Sequence, residues 1–493
     1  MILDHLLLDG RIMLFRDDKQ TPWARIKDGE ISKNIPCNST LFELWCRKLI
    51  YEEFDVNPSN QTLNVIIDLL KTMALFGSND KKLYNRIAWQ EDKLVYDLSN
   101  NSWDYIEIDE DGWRIIKNGE GPLVFKRFSH QKAQVTPEKS ESSSVIDLLR
   151  YVNITNEDQK VLFVVWVVSC FIPDIPHPLA YFYGPQGSAK STISRITQDI
   201  IDPTLLGIST FPKDPSNLIQ QFEHNLLSFF DNVSYIDKNL SDLLCRAITG
   251  VGMAKRKLYT DDEDIIYNFK RSIGINGINL EGVQPDLLER SILFSLERVS
   301  DDSRVSEKAL IDEFNNNKDK ILGSIFTTLS KAITIKQRVD IDSTPRMADF
   351  TLWGCAIAEA LGYSQTDFLE AYKRNIDGQT EEAINGSDIA VTVRDFMQDK
   401  NEWRGSPREL YRALSDSLFG LQESKHIDLP KNEVILGKKI RQLEIPLEKI
   451  GIEITYERGE KRIIRLVNKR FIADTNVSND SKIDDSAQNK IPF

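Results

Sequence analysis

The chain has 493 residues, and its formal net charge at pH 7 is −13. This length predicts about three domains with sizeable cores. The acidic balance excludes a surface that binds polyanions throughout, so any nucleic-acid contact must be confined to a channel or a module of different charge. The five cysteines contain no CxxC pair, which indicates neither a disulfide framework nor a zinc site and is typical of a reducing cytoplasm. The longest apolar stretch, 161–173, is too short to span a bilayer, and no signal-peptide pattern is present, so we expect a cytoplasmic protein without a membrane role.

The first part of the chain mixes helix and strand signals. Helical spacing covers Thr40–Tyr51, where Thr40 and Glu43 form a capping-box pattern, and it returns over 61–75. Alternation with Asn and Asp-Gly turn signals over 93–118 predicts a β-meander. Its tryptophans are candidates for base stacking, although packing of a small sheet's core is the more ordinary role; they are Trp103 and Trp113.

A phosphate-binding pattern occupies Tyr183–Thr192. Its glycines, Gly184 and Gly187, would let backbone N–H groups curl around phosphates. Lys190 would reach the β and γ phosphates, and the hydroxyl of Ser191 would bind Mg²⁺. The alternative is a chance match on a glycine-rich surface turn. The pattern therefore predicts a site for ATP and Mg²⁺.

The surroundings of this pattern support it. The apolar run 178–183 suits a buried parallel strand, and helical spacing follows the lysine. Ala189 stands where glycine is usual, which is tolerable only if this position needs no positive φ. The predicted nucleotide contacts are Gly184, Pro185, Gln186, Gly187, Ser188, Ala189, Lys190, Ser191 and Thr192.

Polar residues follow two further apolar runs. The run 226–230 ends on Asp231, which is placed to hold Mg²⁺ through water. Asn232 stands where many such ATPases have Glu; it can position a water but cannot take its proton. The run 272–276 ends on Asn276, a candidate to hydrogen-bond the γ-phosphate or the attacking water. The alternatives are an Asp that caps a turn and an Asn that forms one.

Two arginines are candidates for transition-state contacts. Arg290 follows a short helical signal and is predicted to act as an arginine finger on a neighbouring subunit's nucleotide. A surface ion pair with Glu289 or Glu297 is the alternative. Arg346 is a candidate to contact the phosphates from the next helical region, and an ordinary surface role stays equally open.

An inserted hairpin is predicted over 255–268. Its first arm is basic and suits contact with a phosphate backbone, and Tyr259 is available to stack. The presumed tip, 261–264, is acidic and would repel DNA, so an intersubunit salt-bridge role stays open. The basic residues of the arm are Lys255, Arg256 and Lys257.

The C-terminal module is basic within an acidic chain. Residues 438–470 hold ten Lys or Arg against five Glu. The alternating runs 452–456 and 462–467 after helical signals predict a winged helix, whose helix starts near Gly437 and is ended or kinked by Pro446. Protein docking is the alternative to DNA contact. The DNA-binding candidates are Lys438, Lys439, Arg441 and Arg462.

The predicted fold class is multidomain α/β, with strand and helix signals that alternate as in a parallel sheet covered by helices. In chain order we expect an α+β N-terminal accessory domain (1–130), a linker (131–144), an ATPase core (145–300), a helical lid (301–377), a winged-helix domain (378–467) and a flexible tail (468–493).

Over residues 145–467 the chain resembles the MCM-like AAA+ replicative helicases of mobile genetic elements. The type is that of staphylococcal cassette chromosomes and pathogenicity islands, related to phage and plasmid primase-helicases and to superfamily-three helicases. The motifs are GPQGSAKST, FFDNVSYI, RKLYTDDE with FKRSIGINGIN, DLLERSI and PRMADF. The resemblance implies an AAA+ core, a hexameric ring with ATP between subunits, a DNA strand through the centre and 3′ to 5′ translocation. Asn232, Ala189 and the acidic hairpin tip depart from the pattern.

The sequence therefore predicts an ATP-dependent DNA helicase that acts in replication initiation of a mobile element or phage, with single- and double-stranded DNA as partners. No acidic triad of a primase is present, so priming would belong to another polypeptide. The alternatives are an ATP-dependent origin-binding initiator or loader without processive unwinding, and a P-loop signalling switch.

Overall fold

The chain forms several sheets and many helices, divided between two compact units. The computed structural model describes residues 10–121, 124–212, 214–250, 252–256, 264–267, 270–278, 283–300, 305–341, 346–385, 387–419, 429–458 and 462–469. The first unit holds Met1–Val233, Asp242–Ile278 and Arg290–Tyr372. The second holds Ser234–Ser241, Asn279–Glu289 and Lys373–Phe493. The predicted multidomain α/β class is confirmed, because the chain combines helices and several sheets in two units. The tail after residue 469 lies outside the described part.

The first unit begins with an antiparallel sheet packed against two helices, and Ile26, Phe42 and Leu70 meet in their shared core. Both predicted helices are confirmed. The cap of the first is Ser39, whose Oγ accepts from the Phe42 N–H, so the expectation of a capping box at Thr40 is wrong by one residue. The elements are β1 (Ile12–Arg16), β2 (Pro22–Asp28), β3 (Ile31–Pro36), α1 (Thr40–Phe54) and α2 (Asn60–Phe76).

The predicted meander is confirmed as a four-stranded antiparallel sheet in the order β5-β6-β7-β8. Trp113 is 6% exposed, and its indole N–H donates to Thr327 Oγ1 at 3.0 Å. This tryptophan therefore packs the fold, as in the ordinary alternative, and is not an open stacking platform. The guanidinium of Arg127 covers the ring of Trp103 at 3.8 Å. The strands are β4 (Tyr84–Asn85), β5 (Ile87–Gln90), β6 (Lys93–Asp97), β7 (Tyr105–Asp109), β8 (Gly112–Ile116) and β9 (Phe125–Lys126).

The meander is joined to the next layer of this unit by buried polar contacts. Arg86 Nε lies 2.6 Å from Asp202 Oδ1, and both side chains are almost fully buried. Tyr96 donates its hydroxyl to the Ile201 carbonyl at 2.9 Å. Gln134, in the predicted linker, is 5% exposed and donates to the Ile200 carbonyl at 2.9 Å. These contacts hold the N-terminal part against the helix that ends at Ile201.

A parallel sheet in the order β11-β14-β10-β15 forms the centre of the first unit. Its strands are buried apolar runs, as expected for a parallel sheet covered by helices. The elements between residues 145 and 295 are a 3₁₀ helix (Val145–Tyr151), α3 (Glu157–Ser169), β10 (Leu179–Tyr183), α4 (Lys190–Ile201), α5 (Pro215–His224), β11 (Leu227–Phe230), α6 (Lys238–Thr249), β12 (Met253–Arg256), β13 (Asp264–Tyr267), β14 (Ser272–Gly277), α7 (Pro285–Leu288) and β15 (Ser291–Ser295). Of these, α7 and the first four residues of α6 belong to the second unit.

The described part of the region after the sheet is mostly helical, as predicted. Its helices are α8 (Glu307–Lys336), α9 (Ala348–Ala360) and α10 (Gln365–Asn385). Within the described ranges, no helix has both the length and the apolar character that a bilayer crossing requires.

The second unit packs helices against a small antiparallel sheet in the order β16-β18-β17, around a core that includes Val393, Leu414 and Leu436. The predicted pairing of the last two strands is confirmed. The helix expected to start near Gly437 starts at Glu433 instead, because Asn432 caps it, and it ends before Pro446. The elements are α11 (Asp388–Met397), β16 (Glu402–Gly405), α12 (Pro407–Phe419), α13 (Glu433–Gln442), α14 (Glu444–Lys449), β17 (Ile452–Arg458) and β18 (Arg462–Asn468).

Candidate functional site

The segment with the predicted phosphate-binding pattern, residues 184–189, connects the carboxyl end of β10 to the first turn of α4 and is called the phosphate loop below. Gly184 has φ +151, and a Cβ there would collide with the carbonyl oxygen of Leu296. Gly187 has φ +81, and its carbonyl accepts from the Val299 N–H at 3.1 Å. Only glycine fits both requirements of Gly184, a left-handed conformation and a close approach. The loop is therefore held tightly against the segment that leaves β15.

Ala189 adopts φ +63 and ψ +26, in the left-handed region. The expectation that this site needs no positive φ is therefore wrong. The conformation follows from position, because Ala189 is the N-cap residue of α4 and turns the loop into the helix. It makes no side-chain cap, so the first backbone N–H groups of α4 remain oriented towards the loop.

Lys190, Ser191 and Asp231 meet at the same edge of the sheet. Ser191 Oγ donates to Asp231 Oδ1 at 3.1 Å. The Lys190 ammonium donates to the carbonyls of Gly184 and Pro185 at 2.8 and 2.7 Å. Burial lowers the pKa of Lys190, and the nearby Asp231 carboxylate opposes this shift. A hydroxyl, a carboxylate and a lysine thus converge beside the uncapped start of α4.

Asn276 is buried inside this edge, with 1% exposure. Its Oδ1 accepts from the Asn232 N–H at 2.9 Å, and its Nδ2 donates to Ser194 Oγ at 3.0 Å. Asn232 itself has φ +55, a conformation that asparagine tolerates. Asn276 therefore fixes the turn after β11 to α4. Its proposed contact with a γ-phosphate stays a prediction.

Asn153 is a residue of this site that the sequence patterns missed. Its Nδ2 donates to the Ser188 carbonyl at 3.2 Å and to the Glu297 carbonyl at 2.7 Å. It thereby ties the phosphate loop to the exit of β15. Asn153 lies between the 3₁₀ helix and α3 in a stretch without any motif, so no local signal identifies it.

Thr192, in the first turn of α4, donates its Oγ1 hydrogen to Glu307 Oε1 at 3.5 Å. Glu307 also accepts from Arg195 at 2.6 Å. Glu307 is the first residue of α8, so the start of the helical region lies against α4. Arg346, predicted to contact phosphates from that region, is exposed just before α9.

Arg290 lies at the amino ends of the parallel strands, whereas the phosphate loop lies at their carboxyl ends. Its carbonyl accepts from the Leu179 N–H at 2.8 Å, at the amino end of β10, whereas the phosphate loop follows the carboxyl end. The strand β10 has five residues, so the Cα atoms of its first and last residues lie about 13 Å apart. The Arg290 guanidinium contacts Cys245 Sγ at 3.9 Å. The side chain therefore does not reach the phosphate loop of its own chain.

The predicted DNA contacts lie in two places. The hairpin is confirmed as the antiparallel pair β12-β13, in which Lys255 and Arg256 occupy β12. Lys257, Tyr259 and residues 261–263 of the tip lie outside the described residues, whereas Asp264 begins β13. In the second unit the cations of α13 are exposed, and the Arg441 guanidinium lies over the Tyr456 ring at 5.0 Å. The other two of these cations are Lys438 and Lys439, and Arg462 begins β18.

The residues at the carboxyl edge of the sheet fit a nucleoside triphosphate and Mg²⁺. Hydroxyl and carboxylate oxygens, supplied by Ser191 and Asp231, are hard ligands of the kind that Mg²⁺ prefers. The loop presents backbone N–H groups without a competing side-chain cap, and Lys190 lies within the same loop. These groups match the charge and the donor pattern of a polyphosphate.

Comparison with known proteins places the chain among replication proteins. Residues 145–382 match the family model described as actinomycete integrative conjugative element replication protein. Residues 389–478 match the C-terminal domain of the same family. Together the two models cover about two thirds of the chain, which is similar to this family of replication proteins between residues 145 and 478. The predicted class, a replication protein of a mobile element, is confirmed, although the family named is that of actinomycete elements and not of staphylococcal ones.

Solved structures give distant similarity only. The A-form apo structure of the NrS-1 C-terminal region is 14% identical, covers 94% of this chain and 98% of its own, and has a TM-score of 0.41. A second apo structure of that region is 13% identical, with coverages of 95% and 98% and a TM-score of 0.39. Similarity of this size carries no conclusion about function. The search among curated proteins finds no match.

Proposed function

We propose that this replication protein is an ATP-driven DNA helicase with an AAA+ core and a C-terminal winged helix. The observation that carries the proposal is the convergence of Lys190, Ser191 and Asp231 at the carboxyl edge of a parallel sheet, with Ser191 Oγ and Asp231 Oδ1 3.1 Å apart. The sheet order β11-β14-β10-β15, with the phosphate loop after a central strand, supports the AAA+ assignment.

The residues have distinct roles in this proposal. Bound Mg-ATP supplies the phosphoanhydride bond that is cleaved. Lys190 donates hydrogen bonds to phosphate oxygens and neutralises developing charge, while Ser191 and Asp231 provide oxygen ligands on the metal side. Asn276 holds the Asn232 turn in place and is also the proposed γ-phosphate sensor. No residue of the site is assigned as the base that activates water.

Arg290 is proposed to act on the nucleotide of a neighbouring subunit. Its position at the far edge of the sheet supports a role in trans, because it does not reach its own phosphate loop. A ring, with six subunits as the expected number and translocation from 3′ to 5′, completes the proposal. Arg346 would contact the phosphates from the helical region.

The decisive experiment is strand displacement on a forked DNA duplex, with ATP and Mg²⁺. Lys190→Ala is expected to lower both ATP hydrolysis and unwinding by at least about 100-fold, because a charge-stabilising donor is lost. Lys331→Ala, which removes an exposed lysine of α8, is the matched control and should retain both. Unchanged unwinding by Lys190→Ala would refute the proposal. Mixing Arg290→Ala with Lys190→Ala subunits should partly restore hydrolysis if the sites are shared.

The second candidate is an ATP-dependent initiator that binds duplex DNA at an origin and melts it locally. The exposed cations of α13 favour it, because this face suits a phosphate backbone; they are Lys438, Lys439 and Arg441. The same forked substrate separates the two candidates. An initiator would bind the duplex and hydrolyse ATP without displacing a long strand.

A further inference from the structure

A pocket in the first unit is lined in part by β11 and lies outside the phosphate site. Its volume is 540 Å³, within the range of about 300–1,000 Å³ typical of ligand sites. It is lined by Leu227–Phe229 of β11, by residues of α5 and by the loop that follows α4. Its lining includes neither Asp231 nor any of the residues 184–192, so the two sites are distinct.

The pocket is uncharged, although the chain as a whole is rich in charge. Asp, Glu, Lys and Arg make up 28% of the residues, yet none of those that the structure describes lines this pocket. Burial lowers the pKa of its His224 to about 4, so this imidazole is neutral at neutral pH. A phosphate or a carboxylate would find no counter-charge here. The lining therefore selects a neutral ligand group.

The pocket offers hydrogen-bonding groups that the fold does not use. Ser228 is a lining residue that is 2% exposed, and its buried Oγ has no hydrogen-bond partner. Asn217 and Gln220, three residues apart on α5, also line it and are exposed. Amide and hydroxyl groups of this kind pair with the edges of purines and pyrimidines.

The wall of the pocket includes two flat rings, those of His130 and His224. The His224 ring stacks on Phe128 with centroids 4.0 Å apart and planes 21° apart. His130 lies nearly parallel to both, and its Nε2 is 3.0 Å from Asn225 Oδ1. Flat aromatic and imidazole rings are the groups on which unpaired bases stack. A planar, neutral, heteroaromatic ligand thus fits the wall and the edge groups together.

We propose that this pocket binds an unpaired base of a single DNA strand. The proposal rests on the proposed DNA-directed function. A strand presents the base with its phosphates directed away from the uncharged pocket. Lys126 and Lys19 lie nearby, each 2.6 Å from Glu223 Oε1, so this neighbouring cluster carries a net positive charge. A free nucleoside has the same base chemistry and is the other source that the experiment must distinguish.

The test compares two fluorescently labelled strands of equal length, one of oligodeoxyadenylate and one in which the same positions are abasic. Binding to the full-length protein is measured by anisotropy. Wild type is expected to prefer the strand that carries bases. Gln220→Leu, which removes an edge group, and Thr210→Trp, which fills the pocket from its exposed rim, should reduce this preference by about 5- to 100-fold.

The matched control is Gln61→Leu, an equivalent change at an exposed position of α2, which should retain the full preference. If both pocket variants keep the full preference for the strand that carries bases, the proposal of a base-binding pocket is overturned, whereas the proposed helicase function is unaffected. Equal loss in Gln61→Leu would overturn it as well. Calorimetric binding of free deoxyadenosine by a protein without base preference would assign the pocket to a nucleoside instead. Failure of wild type to bind either strand would overturn this proposal and the proposed function together.

Discussion

The left-handed conformation of Ala189 leads to a prediction about stability. An L-residue with a Cβ at φ +63 is strained by roughly 1–2 kcal/mol, because its Cβ crowds the following carbonyl. Ala189→Gly removes this strain. Glycine also gains conformational freedom in the unfolded chain, which costs about 0.5–1 kcal/mol. The net result is a stabilisation of about 0.5–1 kcal/mol.

This difference is measurable by denaturant unfolding of the full chain, read as the shift in the transition that includes the first unit. The expected rise in Tm is about 1 °C for a unit of this size. The matched control is Ala348→Gly, at an exposed position in the first turn of α9, which should lose up to about 1 kcal/mol. If both variants lose stability equally, Ala189 is not strained and the reasoning from its φ fails.

Two further predictions concern buried charge in the first unit. Arg86→Met should lower the free energy of unfolding by about 3–5 kcal/mol, because it leaves the Asp202 carboxylate buried without its cationic partner. The double variant with Asp202→Asn should lose less free energy of unfolding in the same denaturant titration. Equal losses of stability in the single and the double variant would contradict the ion-pair explanation. Burial opposes ionisation of Glu223, but Lys126 and Lys19 outweigh it and lower its pKa from an ordinary 4.5 to about 2. The contribution of ionised Glu223 to the free energy of unfolding is therefore complete above pH 4.5 and is lost as pH falls towards 2. The loss of stability caused by Glu223→Gln should accordingly shrink between pH 4.5 and pH 2. A deficit independent of pH would count against this assignment.

The buried contacts also bear on what the N-terminal part does. Asp202 ends α4, the helix that begins at the phosphate loop, and it pairs with Arg86 of the preceding part of the chain. Tyr96 and Gln134 donate to carbonyls of the same helix end. The N-terminal part is thus held against the helix that positions Lys190.

Periodicity predicted most of the elements, because it reflects which face of an element is buried. The helices at Thr40–Phe54 and Asn60–Phe76, the meander and the last β-pair follow their patterns. Element ends were less predictable. Ser39 caps α1 in place of Thr40, and α13 begins at Glu433 in place of Gly437, because a cap depends on one side chain's geometry.

By itself, the sequence determined the phosphate loop and the strand ends that carry Asp231 and Asn276, since each is a local pattern of a few adjacent residues. Only the tertiary structure decided that Asn153 ties the loop to β15, that Arg290 lies at the far edge of the sheet, and that Ala189 is left-handed. It alone brought together the uncharged pocket from segments far apart in the chain. The physical reason is that such contacts depend on the path of the whole chain, whereas a sequence pattern records only the environment of its neighbours.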